Sequence, residues 1–368
     1  MLITANKPDF QTRIYSVDMH NTLIQNVLIL PASEVAPELL HAFYELTYPQ
    51  RAKFLIESWN WLNRSSYLDN KIPLVVLYQG KVIAHAGLIP FDLMITGRTF
   101  SAAWFIDLAV LPEYRRHGLA NILVKKRATF SEMQITFPNE NSFGIFQRAG
   151  WQVNSESFMH YVLISPFNHT RFVRWMPSCL RLFFNATVIH SLSGIYNKYC
   201  TDLAHITLSP LSDELLALHV SRYEKSQEKR RHLISPPRNK DYVQWRIQNS
   251  PNRSQYFIYS GDEFSALVFL NKNADHSIDI LWVSDCCNIS EIRKMLSSLA
   301  LYGKGEGFSY IRFYTTRSDL SSSIKRQIKS LVKKRKFVFS SKNKSLIDEC
   351  QKLSWDLELI DSDFEHTN

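Results

Sequence analysis

Asp107-Leu108-Ala109-Val110-Leu111-Pro112-Glu113-Tyr114-Arg115-Arg116-His117-Gly118-Leu119-Ala120 carries the residue types and the spacing that binding an anion requires. Trp104 to Val110 is almost continuously apolar, which predicts a central strand covered on both faces and stopped at Pro112. From Leu119 the apolar spacing turns helical. The backbone amides of Arg116 to Ala120 then lie at a helix N-terminus, where first-turn N–H groups lack intrahelical partners and the peptide dipoles add positive potential. Gly118 lets the main chain approach a phosphate closely, and Arg115 and Arg116 add charge at the rim. A strand-to-helix turn with ordinary surface arginines would share the short pattern R-x-x-G-x-A, so the loop taken alone leaves both readings open.

A group that takes or gives a proton must stand beside such a cradle. Asp107 is the one charge in Trp104–Val110, and burial would raise its pKa toward a useful value unless a cation holds it down. His85 follows in the neighbouring strand. A paired buried aspartate and a satisfied core histidine are the structural alternatives, because buried polar groups find partners.

The elements that would position these residues alternate from Val27 to Pro166 in the manner of a layered α/β (α+β) domain. Strands are expected at Val27–Leu30, Leu74–Tyr78, Val82–Ile95 and Trp104–Val110, with a hairpin turn at Gln79-Gly80-Lys81 and a second at Gly97. Helices are expected at Pro37–Tyr48, Arg51–Trp61, Leu119–Met133 and Ser142–Arg148. Ile135–Phe137 is a further strand, and Trp151–Ile164 reads as the closing strand pair of the same sheet. Residues 166–200, with Pro166, Pro177 and a basic aromatic stretch, read as a linker or interdomain helix. A similar order then returns. Tyr259-Ser260-Gly261 echoes Tyr78-Gln79-Gly80, and Leu281-Trp282-Val283 echoes Leu108-Ala109-Val110.

The match around the loop is longer than a bare turn. With the strand ending before Pro112, Arg115 to Ala120 resembles the acyl-CoA motif Q/R-x-x-G-x-G/A of the GNAT superfamily of N-acyltransferases. Asn139, Ser142, Ile145, Phe146, Arg148, Gly150 and Trp151 fall at the spacing of that family's following motif, N-x-x-A-x-x-L-Y-x-K-x-G-F. The resemblance covers roughly Val27 to Ile164. It implies a mixed twisted sheet with helices on both faces and acetyl-CoA, or another acyl-CoA, as donor substrate, with no metal. The pantetheine arm would lie along Leu108, Ala109 and Val110. The pyrophosphate would sit on Arg115, Arg116, His117, Gly118, Leu119 and Ala120, with Asn139 and Phe146 beside the donor. The departure is Phe146, which stands where the family usually has a tyrosine to protonate the leaving thiolate. Tyr114 and Tyr161 are the nearest replacements in sequence, while Asp107 and His85 remain the candidate bases.

The rest of the chain bounds the reading. Its 368 residues predict two domains at ~150 residues each, here 1–165 and 201–368 around the linker. The net charge of +9 divides into +5 over residues 1–200 and +4 over 201–368, a spread that disfavours a nucleic-acid arm. Five cysteines without C-x-x-C spacing argue for a reduced compartment, and no apolar signal core follows Met1, so the expected location is cytoplasmic.

The second half lacks the cradle. After Leu281-Trp282-Val283 it reads Ser284-Asp285-Cys286-Cys287-Asn288-Ile289-Ser290, without Gly or Arg, so it should not bind CoA; the two cysteines read as plain strand-end thiols. Lys333-Lys334-Arg335-Lys336 reads as a solvated helix end, and Asp361 and Asp363 as an acidic tail or the lining of a cleft for an amine. Transfer of an acyl group to the primary amine of a small molecule is the leading reading, with a homodimer as one use of the second half. The alternatives are a Fem-type aminoacyl transferase using aminoacyl-tRNA, which has no need of a CoA cradle, and a non-catalytic CoA-binding or membrane-surface protein. The last rests on Phe146 and on Arg171–Tyr196, where arginines interleave with aromatics as in an interfacial helix. A clamp between domains is the favoured reading of that stretch.

Overall fold

The computed structural model of the chain describes residues 24–63, 73–127, 130–154, 157–164, 207–272, 276–328 and 330–361. The linker, including Arg171–Tyr196, and Asp363 lie outside the described residues. Two seven-stranded mixed sheets organise the rest. The first contains β1 (Leu28–Pro31), β2 (Leu74–Tyr78), β3 (Lys81–Ile95), β4 (Arg98–Val110), β5 (Met133–Thr136), β6 (Gln152–Asn154) and, from far down the chain, β15 (Phe337–Ser341), in the order β1-β2-β3-β4-β5-β15-β6. The second contains β7 (Phe158–Leu163), β8 (Thr207–Pro210), β10 (Tyr256–Ser260), β11 (Ser265–Asn271), β12 (Ser277–Val283), β13 (Tyr310–Thr315) and β14 (Ser330–Lys334), in the order β8-β10-β11-β12-β13-β7-β14. A short parallel pair joins β9 (Leu233–Ile234) to β16 (Ser354–Trp355).

Read strand by strand, the two orders are the same. Each sheet runs antiparallel through four strands, makes one parallel pairing, β4 with β5 or β12 with β13, and closes with two antiparallel strands. The sixth place is exchanged: β15 inserts between β5 and β6, and β7 between β13 and β14. Trp151–Ile164 is therefore not one closing pair. It splits into β6 and β7, which belong to different sheets, because Phe158–Leu163 finds its ladder on Tyr310–Thr315. Val338 and Phe339 meanwhile bury completely against β5 and β6.

Helices cover the sheets. Before β2 come α1 (Pro37–Thr47), α2 (Ala52–Glu57) and α3 (Trp59–Leu62), followed by α4 (Leu119–Arg127) and α5 (Glu140–Arg148) around β5. In the second half lie α6 (Asp213–Arg230), α7 (Lys240–Val243), α8 (Ile289–Glu306), α9 (Ser318–Gln327) and α10 (Lys344–Lys352). Pro37 opens α1 at a position where a missing N–H costs nothing, and Leu40, Phe43 and Tyr44 recur at helical spacing to bury one face. The expected helix Leu119–Met133 ends early, at Arg127. Met133 instead opens β5, whose four residues are all buried, and Glu132 accepts hydrogen bonds from the Ser101 N–H and hydroxyl that hold this edge to β4.

Of two hydrophobic cores among the described residues, the larger runs through both halves. Trp104 stacks on Phe137 at 5.1 Å, and Phe337 packs on Trp355 at 5.0 Å. Trp61 and Trp245 each donate an indole N–H to the other's carbonyl, at 2.8 and 2.7 Å. Burying Phe337 and Phe339 contributes about 1.5–3 kcal/mol each, which helps hold the exchanged strand. Among the described residues no helix is long and apolar enough to cross a membrane.

Candidate active site

β4 sets the site. Its parallel pairing with β5 covers only Ala102–Trp104, so Phe105 to Val110 continues past the end of that ladder. Thr136 Oγ1 donates to Phe105 O at 2.7 Å just beyond it. On its other side β4 follows β3 with a bulge: Ile106 faces Gly87 and Ala109 faces His85, so Asp107 and Leu108 together oppose Ala86. Asp107 takes φ +47, uncommon for a residue with a side chain. Gly87 is required here, since a Cβ would stand 2.9 Å from Ile106 Cγ1 and 3.2 Å from Ile106 O.

The bulge turns Asp107 toward a cavity of about 270 Å³, walled by Trp104, Phe105, Phe137 and Phe146 and also touched by Tyr48 and Arg51. Arg51 Nη1 donates to Asp107 Oδ1 at 2.9 Å, both side chains being largely buried. The Asp107 carbonyl accepts from His85 Nδ1 at 3.0 Å, which leaves His85 Nε2 to accept from the Tyr44 hydroxyl at 3.1 Å. Burial pushes His85 down to about 4, so the ring is neutral and both its nitrogens are engaged. It braces the bulge from behind and lines neither cavity described here.

A second cavity, of about 680 Å³, adjoins the first at Tyr48, Leu108, Asn139 and Ser142. It is lined by Leu108, Ala109, Val110, Tyr114, Arg115, Arg116, Gly118, Leu119, Ala120 and Asn139, so the structure gathers nearly all of the expected donor-binding residues on one cleft. His117, half-buried, does not line it. The loop leads into α4 at Leu119, where the sequence turns helical. The first backbone bond of α4 runs from Ile122 N to Gly118 O, which leaves the amides of Leu119, Ala120 and Asn121 as the orphan donors of the first turn. Arg116 and Gly118 both have positive φ, +68° and +78°, and no atom lies within 4 Å of where a Gly118 Cβ would be, so the main chain faces open space. The two arginines differ: Arg115 Nε folds back to Val110 O at 3.1 Å and pins the end of β4.

Asn139 caps α5, its Oδ1 accepting from Ser142 N at 2.9 Å. Phe146 is fully buried, its ring edge-on to Trp151 at 4.7 Å and Phe105 at 5.3 Å. Tyr114 lies at the loop end of the larger cavity, edge-on to Tyr78 at 6.0 Å. Tyr161 is on β7 in the other sheet, against Tyr310, and lines neither cavity. Sequence reasoning missed Tyr48 and Arg51. Their one signal was proximity to the C-terminal end of an amphipathic helix; the contact of Arg51 with Asp107 spans 56 positions.

A family model for the acetyltransferase (GNAT) domain matches residues 38–153, the stretch that supplies both cavities. Residues 38–153 are a GNAT acetyltransferase domain. This places the chain among the acyltransferases, and GNAT domains draw their acyl group from acyl-CoA. The cleft fits such a donor: free amides at a helix end, an open glycine and a basic rim suit a pyrophosphate. Among solved structures, a GCN5-related N-acetyltransferase from Kribbella flavida aligns at TM-score 0.54 and 12% identity, covering 86% of this chain and 71% of that one. A probable N-acyltransferase of unknown function from Enterococcus faecalis aligns at 0.55 and 14%, covering 86% and 72%. Saccharomyces cerevisiae N-myristoyltransferase with bound myristoyl-CoA aligns at 0.51 and 11%, covering 85% and 82%. At these identities the likeness is one of fold, and its extent takes in the GNAT domain and the second sheet together. No curated protein matches the sequence.

Proposed function

We propose that this chain transfers an acyl group, acetyl in the simplest case, from acyl-CoA to the primary amine of a small molecule. The observation that carries the reading is the continuity of the two cavities, a phosphate cradle at one end and Asp107 at the other. In this reading the pantetheine arm lies along Leu108 to Val110, the pyrophosphate rests on the loop from Arg115 to Ala120, and Asn139 borders the thioester. Binding energy from the cradle fixes the thioester beside Asp107, so most of the rate comes from positioning. Asp107 takes the amine proton directly or through water, Arg51 holds its carboxylate in place, and His85 positions the bulge without itself exchanging protons. Phe146 supplies no acid, and the CoA thiolate leaves unassisted or with a proton from solvent. A catalytic half over 1–165, a half over 201–368 that binds no CoA, and action in the cytoplasm belong to the same reading.

The test is calorimetric titration of the whole chain with acetyl-CoA, followed by thiol release over amino sugars, amino acids, polyamines and peptides. Binding with turnover on one amine class supports the proposal; binding without turnover on any returns the chain to the non-catalytic alternative. With an acceptor in hand, Asp107→Asn should lower kcat ~100-fold or more while acetyl-CoA affinity stays within about twofold. An unchanged kcat would make Asp107 an anchor for Arg51 and give the proton to water.

A further inference from the structure

The loop after β12 does not hold plain thiols. Cys286 is buried and Cys287 half-buried, with their sulfurs 3.9 Å apart. Arg317, 8% exposed, reaches between them from the start of α9: its Nη1 lies 3.3 Å from Cys287 Sγ, 3.4 Å from Cys286 Sγ and 3.2 Å from Cys286 O. Cys286 Sγ is also 3.4 Å from Asp356 Oδ2, whose carboxylate pairs with Arg230 at the end of α6. The Cys287 N–H donates to Asp285 Oδ1 at 2.9 Å, and Lys229 pairs with the same carboxylate at 2.8 Å. Asp319 holds Arg317 from the other side. The charged groups facing the pair are thus Asp285, Arg317 and Asp356, each neutralised in part by Lys229, Asp319 or Arg230.

We propose that Cys287, with Cys286 and Arg317 around it, is a covalent modification site for low-molecular-weight disulfides. The guanidinium sits where negative charge on sulfur is stabilised, Cys286 donates its thiol hydrogen to the Asp356 carboxylate, and Cys287 is the one of the two that solvent reaches. Contact with the Cys286 sulfur pulls the Cys287 thiol down to about 6, against burial and with help from Arg317. The same contact and burial push Cys286 up, so it keeps its proton.

In the reaction the Cys287 thiolate attacks one sulfur of a disulfide RS–SR. A Cys287–SR bond forms, the RS–SR bond breaks, and the electron pair leaves on RS⁻, which takes a proton from water. Closure onto Cys286 is disfavoured, because neighbouring Cα atoms are ~3.8 Å apart and disulfides usually span ~4.4–6.8 Å. The mixed disulfide is the product that stays.

The test treats the folded full chain with substoichiometric dithiobis(nitrobenzoate), follows thionitrobenzoate release from pH 5.5 to 9, and maps the labelled peptide by mass. Expected are first labelling at Cys287 and a half-maximal rate at least one pH unit below the ~8.5 of a free thiol. Arg317→Gln should slow labelling about fivefold at pH 6.5 and leave it nearly unchanged at pH 9, where Cys287 is a thiolate with or without the guanidinium. Arg317→Lys should keep most of the rate. Glutathione disulfide should give one adduct per chain, absent in Cys287→Ser. First labelling at another cysteine, or a half-maximal rate at or above pH 8.5, overturns the proposal on the wild-type chain alone, whether or not the Arg317 variants fold.

Discussion

The two sheets share one strand pattern and finish it differently where their parallel strands part. In the first, β4 runs on beyond its pairing with β5 and faces a cleft lined by the loop Arg115–Ala120. In the second, β12 and β13 pair from Ser277 to Ile280, and the segment Ser354–Asp361 bonds to the ends of both strands. Thr316 Oγ1 donates to Trp355 O at 2.7 Å and accepts from Leu357 N at 3.0 Å, while Val283 N donates to Glu358 Oε2 at 2.7 Å. Where the first half has free amides and an open glycine, the second has its own backbone and a buried charge network. Arg230 pairs with Asp356, and Arg238 with Glu358 and Asp361. One arrangement leaves donors for a ligand; the other satisfies them within the chain.

The largest test of that contrast removes the filling. Trp355→Ala should cost about 3–5 kcal/mol of stability, read by urea unfolding, because the indole is 1% exposed and packs on Phe337 and Phe339. A cost under 1 kcal/mol would mean that the segment only drapes over the second sheet.

Gly118→Leu should weaken acetyl-CoA binding ~100-fold or more in a folded chain, since a side chain there blocks main-chain approach and strains a φ of +78°. Wild-type titration should reach one acetyl-CoA per chain; a stoichiometry of two would break the contrast between the halves.

Arg116→Ala should raise the dissociation constant about fivefold, with an effect that shrinks as salt screens the exposed charge. Arg115→Ala should do more, because it also releases Val110 O at the end of β4.

A further test concerns acid. Burial holds His85 at about 4 in the first sheet, His160 at about 4 in the second sheet and His219 at about 3 on α6. Each is neutral when folded and takes a proton below about 6.5 when unfolded, so their contribution is complete above pH 6.5 and is lost as pH falls toward 4. His219→Gln should shrink the loss of stability between pH 7.5 and pH 5.5 by about 1.4 kcal/mol, measured by urea unfolding at the two pH values. An unchanged loss would show that the ring is already protonated in the folded chain.

What the sequence determined by itself is local. The strand ending at Val110, the Arg115–Ala120 loop, the α4 start and the Asn139 cap follow from neighbouring residues, because helix ends and glycine turns are decided within a few positions. The repeated strand order was legible for the same reason. Tertiary structure decided what depends on distant partners. Arg51 meets Asp107, and His85 becomes a neutral brace, only once β3, β4 and the first helices pack. Lys333 and Lys334 lie in β14 rather than at a helix end, and Phe337 is buried just after them, because β14 and β15 join different sheets. Asp361 is neither tail nor cleft lining: it is buried on Arg238 and Tyr242. Strand exchange and buried ion pairs balance desolvation against partners more than a hundred residues away, and no window of sequence contains both sides of that balance.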